Sequence, residues 1–372
     1  MMLRDAAFNA APSKSIRVLV VDDSAFMRYL ITKQLEADSS IEVAGSARDG
    51  IDAIEKIAQY KPDVVTLDLE MPRMHGLTAL EQIMKENPVP VILLSTLTQE
   101  GAAVTIRGLE LGAVDFVTKP SVVQAASADS TWTQLIEKIK AASGLNLRQL
   151  RFRMSYKQLA EARSLSSVSP ARFSSRKPSK VVVIGTSTGG PRALFEVVPR
   201  LPANLPVGIL IVQHMPAGFT RSLANRLNEV SSLEVREAAD GDTVEIGTAL
   251  LAPGDFHMIV RQGGRITLEK SPPLHGVRPA VDITMQSAAS IYGSSTIGVI
   301  LTGMGTDGTN GAIAIKKFGG FVVTEDEATC VVYGMPRSAS EAGASNKVVR
   351  LENIAATIIE AVSQKNKELV HR

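Results

Sequence analysis

The 372-residue sequence holds a single cysteine, Cys330, and that scarcity excludes much. An intrachain disulfide is impossible, and a zinc site built on cysteines has no ligands to draw on. No apolar run is long enough to cross a bilayer. The opening MMLRDAAFNAAPSKS lacks the apolar core of a signal peptide, so 1–14 read as a short disordered tail. These shortages favour the cytoplasm and argue against membrane insertion. Net charge is also scarce: +2 at pH 7 gives no electrostatic case for nucleic acid.

The charge that is present is unevenly spread. Residues 141–180 carry nine Lys or Arg against one acid, Glu161, so this stretch holds +8 and the remainder −6. Its second half, SLSSVSPARFSSRKPSK, is rich in serine and proline with little apolar patterning, and 141–180 read as a basic linker. A regulator whose second half binds DNA would need a helix-turn-helix and a basic face, yet the basic residues concentrate in this linker. The chain length calls for two domains, placed by the linker at 15–140 and 181–372.

Both halves are patterned as α/β. In the first, RVLVV, IEVAG, DVVTLDL, VPVILLS and AVDFVTK read as buried strands, and Met27, Leu30, Ile31 and Leu35 mark one helical face between the first two. In the second, VVVIG, VGILIVQ, ALLAP, IGVILTGM and FVVTED repeat the theme, with a hairpin insertion between Ala249 and Lys270. Such alternation predicts parallel sheets with right-handed crossovers, whose ligands lie beyond the carboxyl ends of the strands.

At that edge of the first half stand Asp22 and Asp23 after the first strand, Asp68 ending the third, Ser95 ending the fourth and Lys119 ending the fifth. Three carboxylates brought together repel one another and call for a hard cation with oxygen ligands, for which magnesium is suited. A lysine and a hydroxyl beside them would bind oxygens of a transferred phosphoryl group, with Asp68 as its nucleophile. VVDDS, LDLEMPRMHG, LLST and DFVTKP together resemble the receiver domain of two-component response regulators, a flavodoxin-like fold. The resemblance implies that Asp68 takes phosphate from a sensor histidine kinase of the CheA type. It also implies that Asp23, Asp68 and the Glu70 carbonyl hold magnesium with Asp22 assisting, and that Ser95 and Phe116 report phosphorylation. His75 stands where that family usually has aspartate; facing the turn, it should matter little.

The second half opens on VVVIGTSTGGP, residues 181–191. This glycine-rich turn could cradle a phosphate, but it spells neither G-x-G-x-x-G nor G-x-x-x-x-G-K-[ST]. Its layout is that of a nucleophile elbow: Ser187 just past a strand, Gly189 and Gly190 leaving room for a substrate, Pro191 in a first helical turn. Serine needs a base, and of five histidines His214, following VGILIVQ, ends a strand at the same edge. His257 and His275 belong to the hairpin region and its exit, His75 to the first half and His371 to the C-terminal tail. Asp307, in the turn after IGVILTGM, is the candidate to orient His214, although alone it reads as a helix cap or turn residue. IGTSTGGP, QHMP, APGDFHM, RPAVD, LTGMGTDG and CVVYGMPRSA resemble the catalytic domain of the CheB protein-glutamate methylesterases, a doubly wound, mostly parallel α/β domain. The resemblance implies a Ser187–His214–Asp307 triad, an oxyanion hole from the N–H groups of Thr188 and Met304, methyl-accepting chemoreceptors as substrates, and no cofactor for hydrolysis.

Overall fold

The computed structural model describes residues 15–120, 129–145 and 178–363. The tail expected over 1–14, the 146–177 portion of the expected linker and His371 lie outside the described residues. Among those described, no helix is long and apolar enough to cross a membrane.

In the first half, the apolar runs form β1 (Ile16–Val21), β2 (Ile41–Ala47), β3 (Val64–Asp68), β4 (Val91–Ser95) and β5 (Asp115–Thr118). Between them lie α1 (Ala25–Glu36), α2 (Gly50–Tyr60), α3 (Gly76–Glu86) and α4 (Gln99–Leu111), and α5 (Asp129–Ser143) follows β5. The sheet is wholly parallel, ordered β2-β1-β3-β4-β5. β3 and β4 are buried along their whole length because helices cover both faces, so they carry no polar alternation. Ser24 caps α1 by accepting the Met27 N–H; Met27, Ile31 and Leu35 are buried, while Leu30 is only half-buried. Strand order reverses between β1 and β3, which brings Asp22, Asp23 and Asp68 to one crevice.

The second half contains β6 (Lys180–Thr186), α6 (Gly190–Val197), β7 (Val207–Gln213), α7 (Phe219–Val230), β8 (Glu234–Glu237) and β9 (Thr248–Leu251). The expected hairpin follows as β10 (His257–Arg261) and β11 (Arg265–Glu269), an antiparallel pair outside the main sheet. Then come α8 (Val281–Tyr292), β12 (Thr296–Ile300), α9 (Thr309–Lys317), β13 (Phe321–Glu325), α10 (Met335–Glu341), β14 (Lys347–Val349) and α11 (Leu351–Ser363). Seven parallel strands run in the order β14-β13-β12-β6-β7-β9-β8. Val182, Ile184, Ile209 and Ile211 face a core with α6, α7 and α11; Val181, Val183, Leu210 and Val212 face the opposite one with α8 and α9. The first strand in sequence, β6, is central, so its end, flanked by those of β7 and β12, is the switch point of this sheet.

The two halves touch. Helix α4 lies against α6 and α7. Phe116 of β5 stacks on Phe219, the first residue of α7, with ring centroids 4.5 Å apart. Arg226 of α7 grips Glu110 of α4 with two hydrogen bonds, Nε to Oε2 at 2.9 Å and Nη2 to Oε1 at 2.7 Å. Burial alone would raise the Glu110 carboxyl, but the bonds from Arg226 and Arg107 outweigh it and hold the group below its usual range.

Candidate functional site

At the first crevice, ligand atoms of Asp22, Asp23 and Asp68 lie within 4.8 Å of one another. Lys119 reaches in from the end of β5, its Nζ 2.7 Å from Asp22 Oδ2 and 2.7 Å from Asp68 Oδ2. One ammonium facing three carboxylates leaves a net negative, all-oxygen donor set, which fits a hard divalent cation. Burial pushes the Asp68 carboxyl up to about 6, with Asp22 adding to the effect and Lys119 opposing it. Glu70, two residues on, is exposed; its N–H donates to Asp68 Oδ1 at 3.2 Å. His75 is exposed at the head of α3 and makes no capping bond through its ring. Gly76 beside it is obligatory, since a Cβ there would fall 2.2 Å from the Asp68 carbonyl oxygen.

Ser95 and Phe116 connect this crevice to the second half. The Ser95 hydroxyl accepts from Thr105 Oγ1 of α4 at 2.5 Å and lies 3.4 Å from the Gly101 carbonyl on the same helix. The Phe116 ring is not in the acidic crevice; it is buried at the domain contact against Phe219.

At the second switch point, β6 and β7 pair through Thr186↔Gln213, so Ser187 and His214 are the next residue on each strand. His214 donates its N–H to the Thr186 carbonyl at 3.2 Å, and Gln213 Nε2 donates to the carbonyls of both Ser187 (2.9 Å) and His214 (3.1 Å). Asp307 joins from the turn after β12, its Oδ2 2.8 Å from His214 Nε2. With Nε2 committed to the carboxylate, Nδ1 is the nitrogen left to act on a proton. Thr188 is buried and Met304 half-buried, and among the described residues neither donates its backbone N–H to another group.

Asp307 is both triad-like and a cap. Its carboxylate also accepts the N–H groups of Val281 (2.7 Å), Asp282 (2.9 Å) and Gly308 (2.9 Å), so it caps α8 from another part of the chain. Asp282, in the first turn of α8, returns the arrangement by accepting the Gly311 N–H of α9 at 2.7 Å. The two carboxylates thus lock the heads of α8 and α9 to each other and fix where Asp307 points. Burial would raise the Asp307 carboxyl, yet His214 and the amides outweigh it and hold the group below its usual range. Asp282 was visible only as part of RPAVD, with no chemistry to single it out. His275 and His257 are committed elsewhere, His275 Nε2 to Asp282 at 3.0 Å and the buried His257 between the Ala280 N–H and the Pro272 carbonyl.

One expectation for the glycines needs correction. Gly189 and Gly190 leave no room for a substrate: a Cβ on Gly189 would meet Val331 at 2.5 Å, and one on Gly190 would meet Gln213 Oε1 at 2.0 Å. The space they vacate is filled by the protein's own side chains, which brace the elbow. The turn after β12 does spell G-x-G-x-x-G, through Gly303, Gly305 and Gly308. The buried carboxylates of Asp307 and Asp282 already take the N–H groups of Gly308 in the turn and Gly311 in α9, the helix that follows it, and would repel a pyrophosphate.

Comparison with known proteins agrees with this division. Residues 182–358 match the family described as CheB methylesterase, and 18–127 match the response regulator receiver domain. A protein-glutamate methylesterase/protein-glutamine glutaminase of Symbiobacterium thermophilum is 49% identical, over 94% of this chain and 98% of its own. One of the same name from Pyrococcus abyssi is 49% identical over 94% of each. The crystal structure of the Thermotoga maritima CheB methylesterase catalytic domain is similar to 49% of this chain and 97% of its own, at 53% identity and a TM-score of 0.48. With receiver and methylesterase halves both matched and the relatives aligned nearly end to end, this chain belongs to the CheB family of protein-glutamate methylesterases/protein-glutamine glutaminases.

Proposed function

We propose that this chain is a serine esterase that hydrolyses γ-methyl esters of glutamates on methyl-accepting chemoreceptors, under control of phosphorylation at Asp68. The observation that carries the reading is the convergence of Ser187, His214 and Asp307 at three adjacent strand ends, with Asp307 holding one imidazole nitrogen. His214 Nδ1 takes the Ser187 proton as Oγ attacks the ester carbonyl, and Asp307 stabilises the resulting cation. The oxyanion rests on the N–H groups of Thr188 and Met304, donors typically worth about 3 kcal/mol each in the transition state. His214 returns the proton to methanol as it leaves, and water then frees the receptor carboxylate. A receptor glutamine presents the same carbonyl with ammonia as leaving group, and the names of the relatives support that second substrate.

In the receiver, Asp23, Asp68 and the Glu70 carbonyl, with Asp22 assisting, would hold magnesium, which when bound supplies positive charge at the carboxylates. Asp68 accepts phosphate from a sensor histidine kinase of the CheA type, and Lys119 holds a phosphoryl oxygen. The Ser95 hydroxyl is bonded to α4 in this state, and α4 carries Glu110 of the domain contact. Drawing Ser95 toward a phosphoryl group breaks its bond to Thr105 and loosens α4, Phe116 and the grip on α6 and α7, the helices that follow Ser187 and His214. The enzyme acts in the cytoplasm on receptor segments that reach it there, with neither nucleic acid nor membrane insertion involved. Membranes bearing methylated receptors, incubated with the purified chain, should release methanol, faster when a small phosphodonor and magnesium are added. An Asp68→Asn variant that still responds to the phosphodonor would refute the control site, and no methanol from the wild type would refute the esterase.

A further inference from the structure

Thr302 lies just past β12, and all its polar groups are used around Ser187. Its carbonyl accepts the Ser187 N–H at 3.0 Å and the Thr186 hydroxyl at 3.0 Å. Its hydroxyl donates to the Thr188 carbonyl at 2.9 Å and accepts the N–H groups of Val331 (3.1 Å) and Val332 (2.9 Å). Its own N–H goes to Glu325 Oε2 at 2.8 Å. Both residues are buried, Thr302 1% and Glu325 0% exposed. Neither is used by the mechanism above. A carboxyl group is costly to bury at a strand end, and a valine in place of Thr302 would fill the same space.

We propose that Glu325 and Thr302 are positioning residues for Ser187: Glu325 fixes the Thr302 peptide, and Thr302 clamps the chain on both sides of the Ser187–Thr188 peptide. The nucleophilic hydroxyl and the Thr188 N–H are thereby aimed at one carbonyl. The backbone carbonyl of Thr302 would bind the Ser187 N–H whatever side chain stood there. The hydroxyl and the Glu325 carboxyl are what this sequence adds. Val331, which the hydroxyl holds by its N–H, is also the side chain that fills the space over Gly189, so one threonine secures the elbow and its brace. The inference rests on Ser187 being the nucleophile.

The test uses the full-length chain and an alkyl fluorophosphonate, which needs no receptor. Ser187 Oγ bonds to phosphorus, fluoride leaves, and the hydroxyl proton passes to His214. Labelling rates of wild type, Thr302→Val, Thr302→Ser, Glu325→Gln and Glu325→Met are read by intact mass, with kcat and KM for methanol release and thermal unfolding measured alongside. Misaiming a nucleophile by a fraction of an ångström to an ångström costs about 10- to 100-fold. Thr302→Val should therefore label about that much more slowly well below its unfolding temperature, with kcat falling in step and KM unchanged. Thr302→Ser keeps the hydroxyl and Glu325→Gln keeps an acceptor for the Thr302 N–H; both should stay near the wild-type rate, whereas Glu325→Met should be slow. Full labelling speed and kcat in folded Thr302→Val, or no recovery in Thr302→Ser, would overturn the proposal. If Thr302→Val does not fold, the contrast of Glu325→Met with Glu325→Gln decides, equal rates counting against it. A wild type that releases methanol yet is never labelled at Ser187 would instead overturn the assignment of the nucleophile.

Discussion

Arg226→Ala is expected to raise the activity of the unphosphorylated enzyme. Arg226 and Glu110 form the bidentate ion pair that ties α7 to α4, and their side chains are 31% and 24% exposed. Such a pair is neither dry nor fully solvated. Screening reduces the charge-assisted bonds to about 1 kcal/mol of net preference for the docked domains. If activity follows the undocked fraction, that energy corresponds to roughly a fivefold rise in methanol release without phosphodonor. The rate at saturating phosphodonor should not move, because undocking is then already complete. Glu110→Gln should act similarly, and the double variant should be no faster than the better single one, because both remove one interaction. Unchanged basal activity in both single variants, or effects that multiply in the double variant, would refute a restraining role for this ion pair.

Three further outcomes are expected. Burial pushes the Glu325 carboxyl up to about 7 from an ordinary 4.5. Its stabilising contribution is therefore complete below about pH 4.5 and is lost as pH rises through 7. Denaturant unfolding should find Glu325→Gln gaining on wild type between pH 5 and pH 8 by up to about 3 kcal/mol, and a pH-independent difference would refute the shift. Asp282→Ala leaves the Gly311 N–H of α9 and His275 without their acceptor, and should cost about 1–3 kcal/mol of unfolding free energy; a loss well below that would refute the reciprocal capping. Removing magnesium with EDTA should abolish stimulation by phosphodonor while leaving basal methanol release unchanged, and loss of both activities would contradict hydrolysis by side chains alone.

Much of this architecture was legible in the sequence because fully buried parallel strands are continuous apolar runs, and such runs mark β1, β3, β4, β6, β7 and β12. Two juxtapositions were legible for the same reason: in a doubly wound sheet the residues at strand ends and in the turns after them converge, so Asp22, Asp23 and Asp68 could be grouped at the first sheet and Ser187, His214 and Asp307 at the second. The edge strands of the second sheet, β8 and β14, were not. Glu234–Glu237 carries three charges in four residues and Lys347–Val349 is three residues long, so neither carries a period. Side-chain partners across the chain were invisible as well. That Asp307 caps α8 while Asp282 caps α9 depends on how two helix heads meet, and that Val331 fills the space over Gly189 depends on a loop 142 residues away. Glycine spacing misled in a related way: it marks where something approaches closely, but not whether that something is substrate or the protein itself.

In the proposed function, Ser187 attacks a methyl ester at the carboxyl edge of the second sheet. Methanol release from membranes carrying methylated receptors, measured for wild type and Ser187→Ala at matched folded concentration, is the decisive measurement. Wild type should release methanol, and Ser187→Ala should release none above the membrane blank. Undiminished release by Ser187→Ala would show that Ser187 is not the nucleophile.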